Sequence, residues 1–153
     1  MSQAGTLSIT HLSKQYEVNG EPLPVLDDIS LEVASGEFVS IVGTSGCGKS
    51  TLLRLIVGLE ADYQGQILLD GERIVATSLD RGIVFQEHRL FPWLTVEQNI
   101  GLGLLNAPRS EEEKHRVVAE HIDLVGLKGF ETAWPHQLSG GMSQRVAIAR
   151  ALV

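Results

Sequence analysis

A chain of 153 residues, 43% hydrophobic and 20% charged, has the length and composition of one ordinary globular domain. Its formal net charge of −7, from 12 Lys and Arg against 19 Asp and Glu, argues against a nucleic-acid binder, whose footprint is a basic patch. No stretch approaches the ~20 apolar residues of a membrane span, Met1-Ser2-Gln3-Ala4-Gly5 lacks a leader pattern, and a lone cysteine forms no internal disulfide; the expectation is a cytoplasmic protein.

Leu7 and Ile9 alternate with polar neighbours, as do Ile29, Leu31 and Val33 before the Ser35-Gly36 turn, which predicts early antiparallel strands. Asn19-Gly20-Glu21-Pro22-Leu23-Pro24 is rich in turn residues and is expected to connect them. Tyr16, just before it, either fills a sheet face or offers a flat, weakly polar ring to a nucleotide base.

Phe38-Val39-Ser40-Ile41-Val42 predicts a buried strand, and Leu52, Leu53, Leu55 and Ile56 recur at helical spacing up to a stop at Gly58. Between them Gly43-Thr44-Ser45-Gly46-Cys47-Gly48-Lys49-Ser50-Thr51 matches the phosphate-loop pattern G-x-x-x-x-G-K-[ST] at every fixed position. Glycine is needed because amide N–H groups must curl inward around phosphate oxygens, and a side chain would block that approach. Lys49 supplies a point charge for the β- and γ-phosphates, and Ser50 a hydroxyl suited to Mg²⁺. The following helix turns its orphan N–H groups toward the same anion. Cys47 occupies an unrestricted position and is expected to fill space rather than react.

Gln66-Ile67-Leu68-Leu69-Asp70-Gly71-Glu72 carries a hairpin signal, and Gly82-Ile83-Val84-Phe85 predicts a second buried strand delivering Gln86 to its C-terminal end. Helical signals follow: Thr95 to Gln98 and Ser110 to Glu113 fit capping boxes, and Val117, Val118, His121, Ile122 and Val125 form an apolar stripe ending at Gly126. Phe91-Pro92-Trp93-Leu94 suits either a docking contact or burial against the helices. His115, His121 and His136 show no metal-ligand spacing. At Leu138-Ser139-Gly140-Gly141-Met142-Ser143-Gln144-Arg145, Ser139 can cap a helix whose first-turn amides the glycines leave open, with Val146, Ile148, Ala149 and Leu152 as its buried face.

Residues 43–51 and 138–145 together resemble the ATP-binding subunit of ABC transporters, over nearly the whole chain. The resemblance implies an α/β P-loop NTPase, an ABC-type nucleotide-binding domain over residues 1–153: a nucleotide-binding core with an antiparallel β subdomain in 1–86 and an inserted helical subdomain with the signature helix in 87–153. It makes Tyr16 the adenine-stacking aromatic and Gln86 the loop glutamine linking Mg²⁺ to the membrane partner, with Ser50 and Gln86 as metal-site residues and ATP and Mg²⁺ as cofactors. Leu138, Ser139, Gly140, Gly141 and Met142 would meet the ATP of a second copy or second ATPase subunit. It further implies transmembrane permease subunits, indirectly a substrate-binding protein, no nucleic acid, and a place on the inner face of the membrane. Residues 86–93 and 99–103 look like the importers for nitrate, aliphatic sulfonates and taurine; a soluble ABC ATPase and a non-catalytic ATP-binding fragment are the competing readings.

Met142 departs from the family's commonest glutamine, and helix packing is expected to survive the change. The family's next strand, with its Mg²⁺-linked aspartate and catalytic glutamate, and its later switch histidine would follow Val153. No catalytic residue is therefore assigned within the chain beyond the loop residue Gln86. ATP binding without turnover, with poor solubility from exposed apolar surface, is the expectation for these 153 residues alone.

Overall fold

The alternation that begins at Leu7 becomes a 12-residue strand, β1 (Leu7–Val18), which runs antiparallel to β2 (Glu21–Val33). This computed structural model describes residues 5–153; Met1, Ser2, Gln3 and Ala4, where no leader is expected, lie outside them. Asn19 and Gly20, with φ of 54° and 82°, close a two-residue turn of the kind that matches the twist of paired strands. Pro22 and Pro24 were expected in a connector and instead lie within β2. They are tolerated because β2 is the outer strand of a sheet ordered β2-β1-β3-β4, where a missing N–H can face away from the ladder. The other strands are β3 (Gln64–Leu69) and β4 (Glu72–Arg73), joined through Asp70 and Gly71, both at positive φ as the hairpin signal requires.

Ile9 on β1 pairs with Ile67 on β3, and helix α1 (Lys49–Ile56) lays Leu52 and Leu55 on the same core with Leu12, Leu26 and Ile74. Fully burying a side chain such as Leu55 contributes roughly 1.5–3 kcal/mol, so this cluster fixes the helix and hence the loop before it.

Two expected strands do not form. Residues 38–42 and 82–85 have no ladder partner, and Phe38 and Val42 are each 92% exposed. An apolar run states a preference for cover, whereas a strand is a state of pairing; no other described segment pairs with these two.

The chain divides into two compact units, one ending at Arg81 and the other beginning at Gly82. The second unit is helical, with α2 (Val96–Gly101), α3 (Glu111–Leu124) and α4 (Gly140–Leu152) around a core of Val96, Ile100, Leu104, Val118, Ile122, Leu127, Val146 and Ala149. Both capping boxes form, Thr95 with Gln98 and Ser110 with Glu113. Ile148 and Leu152, expected on the buried face of α4, are exposed instead, since Ser143, Val146, Ala147 and Ala149 take that face.

Asn99 is wholly buried, and its amide holds the turn before α2. Nδ2 donates to the carbonyls of Phe91, Leu94 and Thr95 at 3.2, 3.0 and 3.0 Å, while Oδ1 accepts from the Phe91 N–H at 2.9 Å. Every polar atom of the side chain is used, which explains why an amide is tolerated among Val96 and Ile100.

Glu113 makes α3 sensitive to acid, because the Ser110 N–H and hydroxyl hold its carboxyl below the ordinary carboxylate range. A depressed folded-state pKa means that this contribution is complete above the unfolded value and is lost as pH falls through the folded one. Ser110→Ala is expected to cost about 1 kcal/mol and to flatten the acid limb of stability; equal denaturation midpoints for both proteins from pH 7 to pH 3 would contradict the cap.

Candidate functional site

The loop between residues 42 and 49 is shaped by close approach. Gly48, at φ 97°, is the residue before α1, and a Cβ there would stand 2.8 Å from both the Val25 carbonyl oxygen and a methyl of Leu26. No other residue both adopts that angle and fits that space. Gly43 is similarly confined, since a Cβ would lie 2.7 Å from the Cys47 sulfur. The Lys49 ammonium curls back over the loop and donates to the carbonyls of Gly43 and Thr44 at 2.8 and 2.7 Å, with Cys47 Sγ at 3.5 Å. Thr44, Ser45, Gly46, Cys47 and Ser50 are exposed, and Thr51 is buried beneath them. The result is an exposed loop backbone, one cation folded over it and a hydroxyl at the start of an eight-residue helix. That donor set fits a polyphosphate.

Among the described residues no cluster of three His, Cys, Asp or Glu could hold a metal ion. Ser50 offers a hard oxygen only, which fits a cation whose remaining ligands are phosphate and water oxygens.

Tyr16 is on β1, half-buried, and its hydroxyl donates to Glu60 Oε2 at 2.7 Å. Its ring lines a cavity of about 570 Å³ with Lys14, Asp62, Tyr63 and Gln64; none of residues 43–51 borders that cavity. The structure thus places Tyr16 and the loop in one unit without joining them in one pocket.

The remaining singled-out residues belong to the second unit. Ser139 caps α4, its hydroxyl accepting from the Met142 N–H at 3.2 Å, and a Cβ at Gly140 or Gly141 would meet nothing within 4 Å. The fold of this unit thus leaves the side-chain space at both glycines open. Leu138 and Met142 pack against the helical core, so the methionine leaves the helix intact. Gln86 is exposed at a bend. The segment around it is tied to α4: Gln144 Nε2 donates to the Phe85 carbonyl at 3.1 Å, and the Arg150 guanidinium to the carbonyls of His88 and Arg89 at 3.1 and 3.0 Å. Desolvation lowers the Arg150 pKa from its ordinary value.

Sequence reasoning missed Lys14, Glu60, Asn99, Gln144 and Arg150 as organising side chains. Only Lys14 left a local signal, since Leu12, Lys14 and Tyr16 at alternate positions share one face of β1. Asn99 acts on the turn just before it, whereas Glu60, Gln144 and Arg150 act on segments far apart in sequence.

Comparison with known proteins bears on the fold as a whole. The family model described as ABC transporter matches residues 26–153. The chain is 50% identical over 151 residues to the aliphatic sulfonates import ATP-binding protein SsuB of Bacillus subtilis (strain 168), covering 98% of this chain and 57% of that one. It is 47% identical over 146 residues to the nitrate import ATP-binding protein NrtD of Synechocystis sp., covering 95% and 55%. The dimeric post-hydrolysis structure of the ATP-binding cassette MJ0796 bound to ADP and Pi superposes with a TM-score of 0.84 at 35% identity, covering 95% of this chain and 68% of that one. The chain thus spans little more than half the length of these curated relatives. With a family model over most of its residues, and the fold of an ABC ATPase, the chain belongs to the ABC transporter family.

Proposed function

We propose that this chain binds ATP as part of the energy-coupling subunit of a membrane importer, and that hydrolysis in a two-fold pair drives uptake of a small anion such as nitrate, a sulfonate or taurine. The observation that carries the reading is the loop of residues 43–51, in which confined glycines, exposed amides and the Lys49 ammonium form a polyphosphate cradle at a helix N-terminus. The anion class follows from the names of the relatives, which are sulfonate and nitrate import proteins.

In this proposal the amides of residues 43–51 bind the phosphates and exclude side chains from them, while Lys49 exchanges its two loop carbonyls for phosphate oxygens. A bound Mg²⁺ would neutralise phosphate charge, with the Ser50 hydroxyl as a protein ligand. Tyr16 stacks on adenine. In a second copy, the open amides at Gly140 and Gly141 supply a further anion-facing helix start, so a two-fold axis makes each site complete twice over. The exposed Phe91 and Trp93, a tilted ring pair 5.3 Å apart held on the Asn99-bound turn, form the docking point for a permease helix next to Gln86. On this reading the protein is peripheral to the inner face of the membrane; no helix among the described residues is long and apolar enough to cross one.

Lys49→Ala is expected to weaken Mg-ATP binding roughly ten- to a hundredfold, the loss of a charge-assisted contact of ~1.5–3 kcal/mol. Equal affinities by calorimetric titration would overturn the cradle. Tyr16→Ala should weaken ATP binding by ~1–3 kcal/mol; Tyr16→Phe should cost much less, because it keeps the stacking face and loses only the tip contact with Glu60. A phenylalanine as damaging as alanine would shift the role from stacking to hydrogen bonding. Trp93→Glu should abolish substrate uptake by the assembled importer at unchanged ATP affinity, and a parallel loss of ATP binding would count against docking.

A further inference from the structure

We propose that Lys14 is a positioning residue for the base subsite: its buried ammonium, gripped by Asp62, sets the plane of the Tyr16 ring on which a purine would stack. The inference rests on the proposed stacking role of Tyr16 and adds a residue to that subsite.

A lysine on the inner face of a strand is unusual, and this side chain is only 6% exposed. Its three donors are accounted for by what surrounds it. Nζ donates to the Asp62 carbonyl at 2.6 Å and to Asp62 Oδ2 at 3.1 Å, and it stands 4.9 Å from the centre of the Tyr16 ring. The carboxylate it meets is 98% exposed, so this pair gains little from attraction between charges alone. Besides the Asp62 carbonyl, the uncharged partner is the half-buried Tyr16 ring, whose π face attracts a cation. Meanwhile Glu60, 3.6 Å from the Arg54 guanidinium, accepts the Tyr16 hydroxyl. The ring is therefore held at its tip by Glu60 and at its face by Lys14. Two points of attachment remove the freedom to swing about χ1 that a half-exposed tyrosine otherwise keeps.

Glu60, and the Asp62 that grips Lys14 of β1, both come from the segment that follows α1, the helix whose first residues close the phosphate loop. Glu60 and Asp62 are placed by it, with the Leu59 N–H bonded to the Arg54 carbonyl at 2.9 Å. A ring fixed in this way binds a base without first losing its own conformational freedom, so the contribution of Lys14 should appear only in ligands that carry a base.

The test compares Mg-ATP with Mg-tripolyphosphate, which has the phosphates and no base, on the same chain. Lys14→Met keeps the length of the side chain and removes the cation. The expected result is a roughly three- to thirtyfold loss of ATP affinity with tripolyphosphate affinity unchanged, substantial recovery in Lys14→Arg, and no further loss when Lys14→Met is added to Tyr16→Ala. Equal losses for both ligands would make Lys14 a support of the fold and overturn the proposal. If Tyr16→Ala lowers the ATP-to-tripolyphosphate affinity ratio and Lys14→Met does not, the positioning role fails while stacking survives. If Tyr16→Ala leaves the ratio unchanged, both fall together.

Discussion

The first unit depends on the contact of Gly48 with β2. The loop must pass from an extended segment into α1 while its backbone lies against the Val25 carbonyl and Leu26, and a left-handed residue without a Cβ is the only solution. That contact sets where α1 begins. Leu52 and Leu55 then press the helix onto the inner face of the sheet, so the direction of the first-turn amides is decided by core packing rather than by the loop itself. The same helix ends in the segment that carries Glu60 and Asp62, the partners of Tyr16 and Lys14. Phosphate cradle and proposed base support are two ends of one packed element.

In the second unit the corresponding constraint is α4. Its start is capped by Ser139, its middle fills the core with Val146 and Ala149, and its remaining flank reaches out through Gln144 and Arg150 to the carbonyls of Phe85, His88 and Arg89. Residues 82–90 contain no helix or strand, so these side-chain bonds satisfy carbonyls that a ladder would otherwise take. A residue of the exposed bend at Gln86 is thereby tied to the helix with the open amides.

Local features were legible in the sequence, and pairing was not. The two capping boxes, the Asp70-Gly71 hairpin and helix α1 are written in residues close together in sequence, and each formed as expected. The Asn19-Gly20 turn was legible too, though its strand begins two prolines earlier than composition suggested, because an outer position in a sheet cannot be read from one strand. Residues 38–42 and 82–85 show the converse. Their apolar side chains identify segments that favour cover, but the ladder bonds must come from somewhere else, and Phe38 and Val42 stand exposed. On α4, Ile148 ranked as core by hydrophobicity and lost that place to Ser143, which has the right angular position and a small side chain. Periodicity located the helix; which face packs was settled by the neighbours.

Recognition through the backbone separates positions that the fold closes to a side chain from positions that it leaves open. In the proposed phosphate cradle, positions 44 and 45 are occupied by exposed side chains, whereas a Cβ at Gly43 would meet the Cys47 sulfur and one at Gly48 the Val25 carbonyl, each nearer than 3 Å. The start of α4 follows the same logic with a different outcome. A Cβ added at Gly140 or Gly141 would meet nothing within 4 Å, so the absence of side chains there is not demanded by the fold of this unit. It has a rationale only if something approaches those amides closely, as a phosphate would. Met142 is the complementary case. Its N–H is already taken by Ser139 and its side chain packs on the core, so what a ligand would meet at this position is set by the helix start and not by whether the residue is glutamine or methionine.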